Sequence, residues 1–192
     1  MGLIFSEAYM RIKERSYMLP DGRKITIKSA GPEDALKIKL HRDKVCGETH
    51  FLAREPEDGP WNAEMIRARF ERVANDDREF MVDAYLGDEL IGELGITNAG
   101  PHVKYLHRAY LGMSILQDFT GKGLGSFMMA TALKQARENG YEQVELGVYS
   151  DNLIARHMYS KMGFKEYGMN PRAFKLPDGS YNDEIIMAYI FE

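Results

Sequence analysis

The sequence predicts a single α/β domain over residues 1–192, with a mixed sheet of about seven strands, a parallel pair at its centre and about four flanking helices. Three observations predict it. Phe80–Leu86 and Glu89–Thr97 alternate like strands around Gly87-Asp88, a strong hairpin signal. Met65, Ile66, Phe70 and Val73 recur at helical spacing, as do Leu124, Phe127, Met128, Thr131, Ala132 and Ala136. Between residues 108 and 148 a strand, a glycine-rich turn, a helix and another strand follow in that order, and a helical crossover joins parallel strands.

In chain order, Tyr17-Met18-Leu19, the turn Pro20-Asp21-Gly22 and Ile25-Thr26-Ile27 read as a hairpin. Pro32-Glu33-Asp34 opens a helix to about Arg42, because proline suits a first turn and acids suit the helix dipole there. Residues 43–60 read as a polar loop with Pro56, Gly59 and Pro60, and a second helix covers about Asn62 to Ala74. After the central hairpin comes a loop over 98–106, then a strand from Arg108 to Leu116. The long helix after it stops at Gly140, where a left-handed residue ends helices well. Val144, Leu146 and Val148 mark the next strand, and a short helix runs from about Asn152 to Met162 before Gly163. Phe164 starts another strand, Pro177-Asp178-Gly179 marks a turn, and Glu184–Phe191 is the last strand.

Composition narrows the function classes. Apolar content of 44% and charged content of 28% suit one globular core in 192 residues. A formal charge of −4 without a run of Lys or Arg argues against a nucleic-acid partner. The single cysteine, Cys46, gives neither an intrachain disulfide framework nor a metal cluster, which points to a reducing, cytoplasmic compartment. No apolar stretch is long enough to span a membrane. Glu7 and Arg11 interrupt any signal-peptide core, and Met1–Ser6, which matches a myristoylation pattern, is read as an ordinary N-terminus.

The informative stretch is Ile115–Gly125, ILQDFTGKGLG. Glycine lets backbone approach a ligand, and the free N–H groups of a first helical turn, with the helix dipole, favour an anion. A phosphate or pyrophosphate is therefore the expected guest. A Walker P-loop is excluded because Leu116 stands where its first glycine belongs and Gly123 where Ser or Thr must follow Lys122. A dinucleotide fingerprint fits Gly121 and Gly123 but meets Ser126 at its third glycine.

Residues 150–164, SDNLIARHMYSKMGF, supply a second constellation. Asn152, Ala155, Tyr159, Gly163 and Phe164 form N-x-x-A-x-x-x-Y-x-x-x-G-F, which resembles the second half of the core of the GNAT superfamily of acyl-CoA N-acyltransferases. Gly123 and Gly125 resemble its acyl-CoA loop, [QR]-x-x-G-x-[GA], with Thr120 where Arg or Gln is usual. The resemblance covers about residues 79–191. It implies acetyl-CoA as co-substrate, no metal, and a pantetheine arm lying between the splayed strands 108–116 and 143–148. Backbone near Ile115 and Gln117 would bond the arm, and the N–H groups of Gly121, Lys122, Gly123, Leu124, Gly125 and Ser126 would take the pyrophosphate. Asn152 and Tyr159 share a helix face about 10 Å apart along the axis, so Asn152 could hold the thioester arm that Tyr159 reaches. A plain helix cap is the other reading of Asn152.

The chemistry so implied is direct attack of a primary amine on the thioester. Tyr159 would protonate the leaving thiolate. The strand 108–116 carries no carboxylate, so Glu93 is the expected base, ahead of His107 and Tyr110. No His or Asp pattern supports Cys46 as a nucleophile. The acceptor would be an amine of a small molecule or a peptide, lined by 45–60, with Glu48, Glu55, Glu57 and Asp58, and by 168–182. The resemblance admits a homodimer. A non-catalytic acyl-CoA-binding sensor is the alternative.

Overall fold

A computed structural model describes residues 12–192; Met1–Ser6 and its lipidation pattern lie outside the described residues. Eight strands form one sheet in the order β1-β2-β3-β4-β5-β6-β8-β7. They are β1 Arg15–Met18, β2 Lys24–Lys28, β3 Phe80–Leu86, β4 Glu89–Asn98, β5 Arg108–Ile115, β6 Gln143–Tyr149, β7 Lys165–Lys175 and β8 Tyr181–Ile190. The helices are α1 Ala35–Glu48, α2 Ala63–Ala74, α3 Leu124–Glu138 and α4 Leu153–Lys161. The strand count exceeds the expected seven because both arms of the first hairpin join the sheet, β1 on β2 and β2 on β3. β5 and β6 are the parallel pair, as the crossover α3 requires.

β3 reads FMVDAYL and is buried on both faces. Phe80, Val82 and Ala84 belong to the core shared with Leu124, Met128 and Ala132 of α3. Met81 and Tyr85 belong to the core under Ile38 of α1 and Ile66, Phe70 and Val73 of α2. Period-2 alternation thus serves two helical layers at once. α2 starts where Asn62 accepts from the N–H groups of Glu64 and Met65, at 2.9 and 3.1 Å.

Two boundaries differ from the sequence reading. α1 continues to Glu48, well into the expected loop, because Val45 and Cys46 extend the buried stripe of Ile38 and Arg42. The charged residues between them face outward and hid that stripe. β8 begins at Tyr181, because its first residues still pair with β7 across the expected Pro177–Gly179 turn. Among the described residues no helix is long and apolar enough to cross a membrane. Nor is any group of three or more His, Cys, Asp and Glu placed to hold a metal ion.

One buried group has a cost. Asp83 of β3 is 0% exposed. Its Oδ2 accepts from the Ala30 N–H at 2.7 Å, and its Oδ1 has no partner among the described residues. Burial, and next the charge of Glu93, push its carboxyl well above the ordinary carboxylate range. The folded state therefore holds a proton that the unfolded state releases near pH 3.9. Stability must fall as pH rises from there toward the folded value, by at most about 1.4 kcal/mol per pH unit. Asp83→Asn is expected to remove this decline, so that the variant gains on the parent as pH rises. Urea melts from pH 4 to 9 check it, and parallel stability curves for the two proteins would refute it.

Candidate active site

β5 and β6 pair only through Arg108↔Gln143, Ala109↔Val144 and Tyr110↔Glu145. β5 then runs on to Ile115 held by β4, and β6 runs on to Tyr149 held by β8. Beyond Tyr110 and Glu145 the two strands are therefore unpaired with each other, and a wedge opens in the sheet. Backbone groups on its two lips are available to a ligand.

The glycine turn lies at the end of the wedge. After Ile115, Leu116 donates back to the Ile91 carbonyl at 3.0 Å, and a 3-10 turn covers Gln117–Phe119. Phe119 is buried and anchors this turn. Gly121 and Gly123 then take φ of 68° and 81°, left-handed values that favour glycine. Gly123 is the N-cap of α3 and supplies no side-chain cap. The first bond back into the cap is Phe127 N–H to the Gly123 carbonyl at 3.1 Å. The N–H groups of Leu124, Gly125 and Ser126 precede it and are free for an anion. Around Gly121 the space is open, since a Cβ there would meet nothing within 4 Å.

Tyr17 of β1 pins this turn from far away in sequence. Its hydroxyl donates to the Lys122 carbonyl at 2.8 Å, and its ring lies 4.9 Å from that of Phe127. A Cβ on Gly123 would collide with that hydroxyl. The Lys122 ammonium sits 3.5 Å from Asp21 in the same hairpin.

The second constellation meets the first at Gly125. A Cβ there would stand 3.1 Å from Met158 Sδ of α4 and 3.3 Å from Ile115 Cδ1 of β5. Next along α4, Tyr159 is 7% exposed, and burial alone raises its phenol to about 12. Its ring lies 5.8 Å from Phe164. Asn152 caps α4, accepting from the Ala155 N–H at 3.1 Å.

Residues 48–164 match the Acetyltransferase (GNAT) family. The chain belongs to that family. It is 28% identical over 155 residues to a mycothiol acetyltransferase of Tsukamurella paurometabola, a match covering 77% of this chain and 50% of the relative. The chain spans about half the length, or less, of the curated relatives it matches first. In fold it resembles a GNAT acetyltransferase from Streptococcus pneumoniae, with a TM-score of 0.82, 24% identity, and coverage of 87% of this chain and 99% of that one. It also resembles a putative acetyltransferase from Salmonella typhimurium solved with its cofactor acetyl-CoA, with a TM-score of 0.77, 16% identity, and coverage of 88% and 94%.

Within this GNAT fold the other expected site residues scatter. Ile115 is partly buried at the tip of β5, and Gln117 is exposed, with its N–H given to Glu48 Oε2 at 2.7 Å. Glu93 lies on the opposite face from Tyr159, turned toward α1. Both its oxygens face Arg42, from Nε at 2.8 Å and from Nη2, and the pair is buried. It is thus neither an exposed strand residue nor an unengaged carboxylate. Beside it, His41 Nε2 lies 2.9 Å from Ser114 Oγ, and burial lowers its imidazole pKa. His107 precedes β5 at the paired end of β5 and β6, away from the wedge. Tyr110 is exposed at the last paired position, and Cys46 is buried.

Sequence reading named the segments 45–60 and 168–182 but missed Tyr149, which joins them into a wall beyond the wedge. The Tyr149 ring, at the end of β6, stacks on Phe174 of β7 at 3.8 Å and 8°, and its hydroxyl donates to the Leu52 carbonyl at 3.1 Å. His50 approaches Asp151 at 3.1 Å. These contacts tie the segment after α1 to β6 and β7. Tyr149 gave the only signal, a large aromatic at a strand end.

The Tyr17–Gly123 contact predicts coupling. Gly123→Ala is expected to cost about 1–2 kcal/mol for its left-handed backbone, plus the collision with the Tyr17 hydroxyl. Tyr17→Phe alone should cost about 1 kcal/mol for the lost hydrogen bond. In the Tyr17→Phe background Gly123→Ala should cost less than in the parent. A urea double-mutant cycle measures this, and strictly additive losses would refute the contact.

Proposed function

We propose that this GNAT protein transfers an acetyl group from acetyl-CoA to a primary amine of a small molecule or protein, by direct attack. The observation that carries this reading is the wedge between β5 and β6 ending at an uncapped, glycine-walled helix start. The residues present fit the co-substrate. The N–H groups of Leu124, Gly125 and Ser126 suit its pyrophosphate, with Gly121, Lys122 and Gly123 forming the turn around it. The free lip of β5 up to Ile115 suits the amide groups of a pantetheine arm, which the Gln117 N–H can join only by leaving Glu48 Oε2. Asn152 keeps its amide nitrogen for a ligand while its oxygen caps α4. Acetyl-CoA supplies the activated acyl group.

Tyr159 is the proton donor in this reading. With its phenol near 12 it stays protonated at neutral pH. The gap to a thiol near 8.5 means that it acts chiefly by donating a hydrogen bond as charge develops on sulfur. Glu93 can serve as base only by giving up part of its pairing with Arg42. The acceptor side is walled by Tyr149, Phe174 and the segment around Leu52.

Acetyl-CoA at a hundred times its Kd is expected to stabilise the fold by about 2.7 kcal/mol. Tyr159→Phe keeps the ring and its packing, so acetyl-CoA affinity should hold while kcat falls by roughly 10²–10⁴-fold. Isothermal titration and a free-thiol assay against an amine panel read the two quantities. Activity within about twofold of the parent removes Tyr159 from the mechanism. Tight acetyl-CoA binding with no turnover of any amine leaves the sensor reading instead.

A further inference from the structure

One carboxylate stands at the mouth of the wedge without an ion-pair partner among the described residues. β6 pairs with β8 through Gly147↔Ile186 and Tyr149↔Glu184, so Glu184 shares a face with Tyr149 and Gly147. Its carboxylate leans across Gly147, where a Cβ would collide with it. Gly147 lies just past Glu145, the last β6 residue paired with β5, and is therefore on the β6 lip. Gly112 occupies the corresponding place on the β5 lip, exposed, with nothing within 4 Å of where its Cβ would be. Two glycines thus leave the mouth clear, and the Glu184 carboxylate borders it.

Three neighbouring carboxylates are engaged. Glu145 accepts from Arg108 Nη2 at 2.8 Å, Tyr167 Oη at 2.9 Å and Gln143 Nε2 at 2.9 Å, and Glu93 is held by Arg42. Asp151 is 3.1 Å from His50. Glu184 has no side-chain hydrogen bond or ion pair among the described residues. Beside it the stacked rings of Tyr149 and Phe174 offer a π-face, a second attraction for a cation. The Tyr149 phenol is pushed up, first by burial and then by the negative charges of Glu55, Asp151 and Glu184, as expected where negative potential gathers.

We propose that Glu184 receives the ammonium group of the acceptor at this mouth and takes its proton, so that the acceptor is a basic, cationic primary amine. This rests on the transferase reading above. The ammonium gives one proton to the Glu184 carboxylate, which passes it to solvent. The freed nitrogen lone pair forms the bond to the acetyl carbon as the carbon–sulfur bond breaks. Nitrogen loses its second proton to solvent, and sulfur gains one from Tyr159, which is reprotonated from solvent. The products are the amide, the free thiol and one released proton.

The test uses free-thiol release with aliphatic amines (a polyamine, an amino-acid amide, a short peptide) and an aromatic amine that is neutral at the assay pH. Glu184→Gln should lower kcat/KM for the aliphatic amine by at least about 100-fold. It should leave the aromatic amine within about threefold, because that substrate has no ammonium to receive. Gly147→Ala, whose methyl group displaces the carboxylate, should show the same selective loss. Acetyl-CoA affinity, measured by titration, should be unchanged in Glu184→Gln, which also shows that this variant folds. Equal losses on both amine classes, or an aliphatic loss under about threefold, overturn the assignment. If the parent does not use the aromatic amine, both variants must still lose the aliphatic one, Glu184→Gln at unchanged acetyl-CoA affinity, or the assignment falls. A parent active only on aromatic amines overturns the ammonium assignment and leaves the transferase reading intact. A parent that binds acetyl-CoA and acetylates no amine overturns both.

Discussion

The incomplete pairing of β5 with β6 is the constraint on which the rest of the molecule turns. A sheet normally satisfies each strand on both edges, and an unpaired edge in the middle is a liability unless something fills it. Here three residue pairs join the strands, after which β5 depends on β4 and β6 depends on β8. The wedge can persist only because those outer ladders run its full length, Gly92↔Ile115 on one side and Tyr149↔Glu184 on the other. The halves of the sheet are stitched across the gap by α3, whose apolar face joins the core of β3 and β4 to Val144 and Leu146 of β6. Packing on one face holds open what hydrogen bonding has left open at the edge.

That arrangement puts demands on charge. Several carboxylates lie within or beside the sheet, and each is handled differently. Glu93 is matched by a guanidinium from α1, so the pair fixes that helix against β4, although it must offset the desolvation of both ions. The same guanidinium lies 4.7 Å from Trp61, and Arg54 approaches the ring at 4.4 Å, so Trp61 links α1 to the segment before α2. Asp83 has only a backbone N–H and avoids the penalty by holding a proton. Glu93 and Asp83 are thus compensated in different ways, one by pairing and the other by protonation.

What the sequence revealed, and what it hid, follows from the range of the interactions. The order of elements, the parallel pair, the glycine turn and the cap at Asn152 are local, written in period, glycine placement and capping chemistry. The family followed from the same two stretches, since Ile115–Gly125 and Asn152–Phe164 each fold as a contiguous unit. The surroundings of Glu93 were not legible because its partner lies 51 positions away on a helix whose charged residues look solvated. Tyr17 gave no signal at all, being 105 positions from the carbonyl it holds. The extension of α1 through Val45 and Cys46 was masked for a related reason: its buried stripe includes His41 and Arg42, which a hydropathy reading counts as exposed.

The same reasoning explains why the acceptor is the least legible part. The proposed co-substrate side is built from backbone N–H groups and glycines, whose positions a motif can encode. The proposed acceptor side is assembled from the segment after α1, the end of β6 and a distorted β7. β7 shifts register between Asn170 and Phe174, where Arg172 takes a φ of 54°. That left-handed backbone is held by the Arg172 N–H on Asp183 Oδ1 at 2.7 Å and by its guanidinium 3.8 Å from the Tyr181 ring. The distortion lies between Asn170, which pairs with Glu184, and Phe174, which stacks on Tyr149. It thereby sets the relation between the carboxylate strand and the aromatic wall. No single stretch carries this information. Substrate choice in such a site depends on how three distant segments meet, and a change in any one of them re-forms the wall without touching the glycine turn proposed for the co-substrate.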